Sequence, residues 1–225
     1  MARQAKNWVR EVFAVPKKPK VTSPPIKDGQ EQPAVLIEIP AIALRTMDIA
    51  LIGDSPLISN AWSTKAKKMI LQKQMKEATG GKEAKDPKRD FEESIYRLED
   101  GTPAFPAVAF KNASVDACTF VDGMTKVMAR GAFHVIGDRL PIEGKPTPRE
   151  DMVRVGMGSA DIRYRAEFKK WRVHLTIRYN AAALSPAQII NLFNIAGFAI
   201  GVGDWRPQKD GSFGMFHVAQ QEEIK

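Results

Sequence analysis

From Lys170 to Tyr179 the chain alternates without a break. Trp171, Val173, Leu175, Ile177 and Tyr179 fall on one phase, and Lys170, Arg172, His174, Thr176 and Arg178 on the other. A period of two belongs to a β-strand whose successive side chains point to opposite faces. Five apolar side chains in phase must be covered by helices or by a second sheet. An all-helical fold is excluded. So is a strand buried on both sides, which reads as a continuous apolar run. The chain therefore holds a sheet with one packed face and one face that carries cations.

The flanking sequence supplies the covering layer. Ser185-Pro186 starts a helix, with serine as N-cap and proline at the first helical position. Ile189, Ile190, Leu192, Phe193 and Ala196 give its apolar side, and Gly197 is expected to stop it. A glycine-rich run from Gly197 to Gly214 follows, and then a last strand over 213–218. Upstream, 34–52 is β-branched and apolar, a long strand or two strands bent at Pro40. Pro106 opens a helix expected over 106–121, and 131–137 reads as a short strand between glycines. The order strand, helix, strand, strand, helix, strand predicts an α+β, ferredoxin-like βαββαβ domain over 34–218. Two long insertions interrupt it. One spans 54–103, with a turn at 53–56, a helix capped by Ser63 or Thr64 running to about Thr79, and a turn at Asp100-Gly101. The other spans 138–165, where 138–162 reads as turn-rich and irregular. Residues 219–225 form a polar tail.

Charge is distributed unevenly along this frame. The net charge is +8, yet residues 1–90 hold 17 basic and 10 acidic side chains and residues 91–225 hold 17 and 16. One source is 1–33, where Pro16, Pro19, Pro24, Pro25 and Pro33 forbid a continuous helix and predict an extended basic arm. Within it Trp8, Val9, Val12 and Phe13 form an apolar cluster, suited to a neighbouring subunit or to the chain's own core. The other source is 63–90, rich in lysine and broken by Gly80, Gly81 and Pro87. It reads either as a basic finger on a phosphate backbone or as a solvated helix and loop.

Several classes of chemistry are excluded or weak. Cys118 is the only cysteine, so no internal disulfide and no cysteine-based zinc site can form. No apolar run reaches the ~20 residues of a membrane span, and the N-terminus lacks the apolar core of a signal peptide. A cytoplasmic protein without a membrane partner is expected. The glycine-rich run lacks the Lys-Ser/Thr ending of a nucleotide-binding loop. His134, His174 and His217 have no metal-ligand partner nearby in sequence, and no cofactor is expected. Glu167-Phe168-Lys169, with Asp151 or Asp161 upstream, matches a fragment of a metal-dependent nuclease core, or simply a charged turn. A non-enzymatic protein is the expectation.

The candidate binding residues are cationic. Lys170, Arg172, His174 and Arg178 share the open phase of their strand, spaced about 7 Å apart, near the phosphate spacing of an extended nucleic-acid strand. Arg163 and Arg165 extend that neighbourhood. Lys65, Lys67, Lys68, Lys73, Lys76 and Lys82 belong to the 63–90 segment. In the glycine-rich run, Arg206 and Lys209 with backbone N–H groups either cradle a phosphate, or the run is a tight connection with Trp205 packed on the sheet. Tyr164, Phe91 and Tyr96 are possible stacking groups, and Trp171 is in phase with the core.

The βαββαβ order with two long insertions, and the glycine-rich loop before the last strand, resemble the RAMP superfamily. These are the RNA-recognition-motif-like backbone subunits of CRISPR effector complexes. The resemblance implies binding of single-stranded DNA or RNA and self-assembly into a homo-oligomer, possibly a helical filament. The blocks PLISNAWSTKAKKMI and GVGDWRPQKDGSFG look like proteins of tailed bacteriophages. The expected function is a non-catalytic single-strand-binding protein of phage recombination, replication or counter-defence. A virion or scaffold protein is the alternative, and a nuclease comes third.

Overall fold

The computed structural model describes residues 41–77, 84–155 and 158–223. The arm 1–33, Lys82 and the side chain of Lys65 lie outside the described residues. Strand β1 spans Leu44–Gly53, so the part of the expected strand before Ala41 also lies outside them.

The main sheet has the order β10-β1-β9-β6-β4-β3, with β5 also paired to β9. All its pairs are antiparallel. Its members are β1, β3 (Tyr96–Arg97), β4 (Pro103–Pro106), β5 (Phe133–Val135), β6 (Arg139–Glu143), β9 (Arg172–Asn180) and β10 (Phe216–Val218). The central order β10-β1-β9-β5 is that of a βαββαβ core, and the fold is α+β as the element order predicts. Helices α3 (Ala107–Ala117) and α5 (Pro186–Ile195) pack on the apolar phase of β9 and on each other. Trp171, Val173, Leu175, Ile177 and Tyr179 are all buried, so the phase read from the alternation is the observed one. Phe110 sits at the centre of the core, its ring centroid 5.9 Å from Phe105, 6.5 Å from Trp171 and 5.9 Å from Phe216. Trp171 also donates its indole N–H to the Ser55 carbonyl at 2.9 Å, which satisfies its one polar atom.

Helix α5 begins as expected. Ser185 and Gln188 form a capping box, and Pro186 opens the first turn. It does not stop at Gly197. The helix widens into a π turn over Ala196–Ile200 and ends at Gly201. Gly197 is required for another reason: a Cβ there would lie 1.7 Å from the Phe216 carbonyl oxygen, where β10 passes.

Other expectations need correction. The helix before residue 121 starts at Ala107, with Pro106 as its N-cap, and gives way at Cys118 to a 3-10 turn. Pro103 and Pro106 belong to β4, and a further short helix, α4 (Lys126–Ala132), precedes β5. The helix capped by Ser63, α1 (Thr64–Gln74), ends well before Thr79, because Lys76 adopts φ +57° and breaks the ladder. Helix α2 (Pro87–Glu93) follows, capped by Asp86, and the turn at Asp100-Gly101 is present.

The largest correction is 138–162. It is not irregular: β6 is followed by a hairpin of two ten-residue strands, β7 (Pro146–Val155) and β8 (Ser159–Phe168), in unbroken register from Pro146↔Phe168 to Val155↔Ser159. With β2 (Leu57–Ser59) on the other side of β8, this hairpin forms a second sheet. Both insertions of the core thus contribute strands to one layer.

Candidate nucleic-acid interface

The open face of the main sheet is built by register. Arg172, His174, Thr176 and Arg178 of β9 lie opposite Ile52, Ala50, Asp48 and Thr46 of β1. His134 of β5 lies opposite Arg178, and Glu143 of β6 opposite Arg172. The strand itself carries no acid, but its neighbours do. Asp48 accepts from the Thr176 hydroxyl at 2.6 Å, and Glu143 lies 3.2 Å from His174. Arg172 donates to the Glu223 carbonyl at 2.9 Å. Only Arg178 of this row has no hydrogen-bond or ion-pair partner among the described residues. Lys170 is exposed but sits in the bend before β9 rather than on the strand.

His217 of β10 closes one end of this face. Its Nδ1 lies 2.6 Å from Asp54 and its Nε2 3.3 Å from Glu223. Burial alone would lower its pKa; the hydrogen bonds and charges of Asp54 and then Glu223 outweigh that and hold it above the usual histidine value. A raised folded-state pKa stabilises the fold below the unfolded value, and that contribution disappears as pH rises through the folded value. The stability advantage of the protein over a His217→Gln variant is therefore expected to be larger at pH 6 than at pH 8 in thermal melts. Equal advantages at both would refute the pairing.

A second cationic surface lies where the hairpin meets the glycine-rich loop. Arg165, expected at the surface, is buried with only 5% exposure. Its Nη1 donates to Asp151 at 3.1 Å, and its Nε lies 3.1 Å from Asp204. That second contact is close enough for an ion pair, yet off the hydrogen-bond axis, so the Nε–H lacks an acceptor. Arg149 bridges Asp151 at 2.8 Å and Glu167 at 3.0 Å, with its guanidinium 4.7 Å from the centre of the Phe213 ring. The two carboxylates of the nuclease fragment, Asp151 and Glu167, are thus both held by arginine. Among the described residues no group of three metal-binding side chains occurs.

Much of the N–H donor capacity of the glycine-rich loop is spent within the fold. The N–H groups of Val202, Asp204, Gly211, Phe213 and Gly214 donate to backbone carbonyls of the loop itself or of residues 56–58. Gly214 has φ +66°, and a Cβ on it would meet the Val202 carbonyl at 1.7 Å, so the loop is packed onto itself. Arg206 is half-buried and donates to the Gly203 carbonyl and the Gln208 side chain. Lys209 is exposed.

This tight loop holds Trp205 outward. Trp205 has φ +57°, a left-handed conformation that bulky residues rarely adopt, and is 42% exposed. It lines a cleft of about 370 Å³ with Arg154, Arg163 and Arg165, beside Asn60 and Asp204. Arg163 is exposed, its Nε 3.9 Å from Asp161, and Arg154 has no hydrogen-bond or ion-pair partner among the described residues. A flat π surface beside guanidinium groups is the pairing that binders of single-stranded nucleic acid use.

No protein-family model and no curated protein matches the sequence. Solved structures do. A chain of the cryo-EM structure of Type III-B Cmr-beta bound to cognate target RNA aligns with TM-score 0.46 and 12% identity; the alignment covers 79% of this chain and 60% of that one. Crystalline Cmr6 from Pyrococcus furiosus aligns with TM-score 0.42 and 8% identity, over 79% and 98% of the two chains. A chain of a CRISPR RNA-guided surveillance complex gives TM-score 0.34 and 8% identity, over 76% and 66%. These neighbours are subunits of CRISPR complexes, at low similarity.

The remaining expected residues lie apart from the Trp205 cleft. Lys67, Lys68, Lys73 and Lys76 are exposed on or just after α1, interleaved with exposed Met69, Ile70, Leu71 and Met75. Tyr96 and Phe91 pack against the core, and Tyr164 is half-buried. Arg154 was not among the expected residues. In the hairpin register Arg154 lies opposite Ala160 and Arg163 opposite Asp151, so alternation alone would not have brought the two together. No helix among the described residues is long and apolar enough to cross a membrane.

Proposed function

We propose that this chain is a non-catalytic protein that binds single-stranded nucleic acid, DNA or RNA, at the junction of the hairpin and the glycine-rich loop. The observation that carries the reading is Trp205, held exposed in a left-handed conformation beside Arg154 and Arg163. Backbone strain of this kind costs on the order of 1–3 kcal/mol and persists where the surroundings enforce it, most often at functional sites. A base stacks on the indole while the arginines meet the flanking phosphates. The unpaired Arg178 and the lysines of α1 extend the positive field along the strand's path. The RAMP superfamily is the family this reading favours, on the strand order and the loop before the last strand, and the phage-like sequence blocks favour a phage-encoded member. In this reading copies assemble along the strand through arm 1–33.

The test is a titration of fluorescently labelled single strands. Trp205→Ala is expected to weaken binding about tenfold or more, since a stacked base contributes about 1–3 kcal/mol. Log affinity is expected to fall linearly with log salt, with a slope of about −0.7 per neutralised phosphate. Affinity that ignores both salt and Trp205 overturns the proposal. Deleting 1–33 is expected to shift the strand-bound protein to smaller species on size exclusion; unchanged assembly removes the arm from the scheme.

A structural protein of a virion or scaffold is the second reading. Its support is α1, whose Met69, Ile70, Leu71 and Met75 are all exposed, with Trp62 just before it. Surfaces of this composition are covered by protein partners. Assembly without any strand binding would favour it.

A further inference from the structure

A recess of about 550 Å³ lies between α3 and the glycine-rich loop, and it shares Asn60 and Asp204 with the Trp205 cleft. The two cavities are therefore neighbours across one wall. The recess is within the size range of small-molecule sites. Its lining includes apolar side chains, among them Pro106, Ala109, Ile200 and Val202. Several of its polar groups are open. The Tyr96 hydroxyl, the Asn112 amide and the Arg130 guanidinium make no hydrogen bond among the described residues. Asp204 uses Oδ2 for Asn60, at 2.9 Å, and for Arg165, while its Oδ1 accepts no hydrogen bond. Asp116, also in the lining, is already taken by Lys126 at 2.6 Å and by Gln208 at 2.8 Å.

These open groups describe the ligand. It fits against apolar walls, and it presents N–H donors to a carboxylate oxygen beside acceptors for a phenol and an amide. Burial, then the Asp204 charge, raises the Tyr96 pKa, so the phenol keeps its proton and donates. Nucleobases taken out of a stack are read in this way, by hydrogen bonds to the Watson–Crick edge between apolar walls. Guanine is the base that sets two N–H donors, N1–H and the N2 amino group, next to the O6 acceptor. Adenine, cytosine and uracil each lack that pair.

We propose that the recess between α3 and the glycine-rich loop takes one unstacked nucleobase, with guanine preferred: Asp204 accepts from its N–H edge and Tyr96 and Asn112 complete the recognition. The proposal rests on the nucleic-acid reading and deepens it. The strand whose base stacks on Trp205 delivers the next base across the Asn60–Asp204 wall. Arg130, at the rim, meets a phosphate. Binding then has two layers: a sequence-tolerant one at Trp205 and a base-selective one in the recess.

The experiment compares labelled single strands of mixed adenine and cytosine with the same strands carrying isolated guanines, using the full chain, with guanosine monophosphate as a separate arm. Guanine-bearing strands are expected to bind at least tenfold tighter. That ratio is expected to collapse toward one in Tyr96→Phe, which keeps the packed ring, and in Asn112→Ala, at an exposed helix position; thermal melts check that both fold. Ala109→Trp, which fills the recess, is expected to abolish the ratio as well. Strand binding with no guanine preference, or a preference indifferent to all three variants, overturns the recess alone. Guanosine monophosphate bound in the recess with no strand bound overturns the strand-binding function and leaves the recess as a free-nucleotide site. Binding of neither overturns both.

Discussion

Trp171→Ala is expected to destabilise the protein by about 3–5 kcal/mol, the range for truncating a buried large aromatic. Trp171 is 3% exposed, meets Phe110 and Phe216, and anchors the turn after β1 through its bond to the Ser55 carbonyl. Its loss leaves a cavity and an unsatisfied carbonyl together. A domain of this size holds only about 5–15 kcal/mol in total, so the variant is expected to be partly unfolded at physiological temperature. Arg178→Ala, one phase away on β9, is expected to change stability by less than about 0.5 kcal/mol. Urea denaturation of both variants measures the contrast. If Trp171→Ala costs less than Arg178→Ala, the packing of β9 described above is wrong.

Asp151→Ala is the second large effect. Asp151 is 9% exposed and is the common acceptor of Arg149 and Arg165. Without it Arg165 stays buried with only the off-axis contact to Asp204. Removing one partner of a buried ion pair costs about 3–5 kcal/mol, because the other charge is left unpaired. Adding Arg165→Met to Asp151→Ala is expected to restore much of that loss, since the uncompensated charge goes with the arginine. A double variant no more stable than the single one would show that the network does not couple the hairpin to the loop. Because Asp204 and Asn60 belong to the same network, Asp151→Ala is also expected to weaken strand binding beyond its effect on folding.

The parts of the fold that are local in sequence were legible. The alternation of 170–179 is written in consecutive residues, and the Ser185-Pro186 start of α5 needs only its own capping box. The hairpin 146–168 was hidden because its inward phase is ionic. Asp151 and Arg165 occupy positions where a reader of patterns seeks valine or leucine, and Pro146 and Pro148 add turn signals. The pairing of Leu57 with Phe168 joins segments far apart in the chain, and no local signal announces it. The interface was legible only in part. Arginines 163 and 165 drew attention by charge, and both line the cleft, but burial separates them: Arg163 is exposed and Arg165 is a structural strut. The outward pose of Trp205 depends on loop carbonyls and N–H groups that pair across the loop, which composition does not record. The pairing of Thr176 with Asp48 and of His174 with Glu143 is equally a product of register.

The strand lengths bear on how copies of this chain can come together. The main sheet ends, among the described residues, in β3 with two residues and β10 with three. A visiting strand gains main-chain hydrogen bonds only along an unpaired border, and borders this short give it no register to hold. On the second sheet the border strand is β7, and Pro146 and Pro148 there have no N–H to offer. Growth by shared β-structure, the route to irreversible fibres, is blunted at β3, at β10 and at the start of β7, while the outer side of β1 before Ala50 has no partner strand among the described residues. In the proposed assembly, contacts at these short borders fall to side chains, and side-chain contacts between charged surfaces loosen with salt.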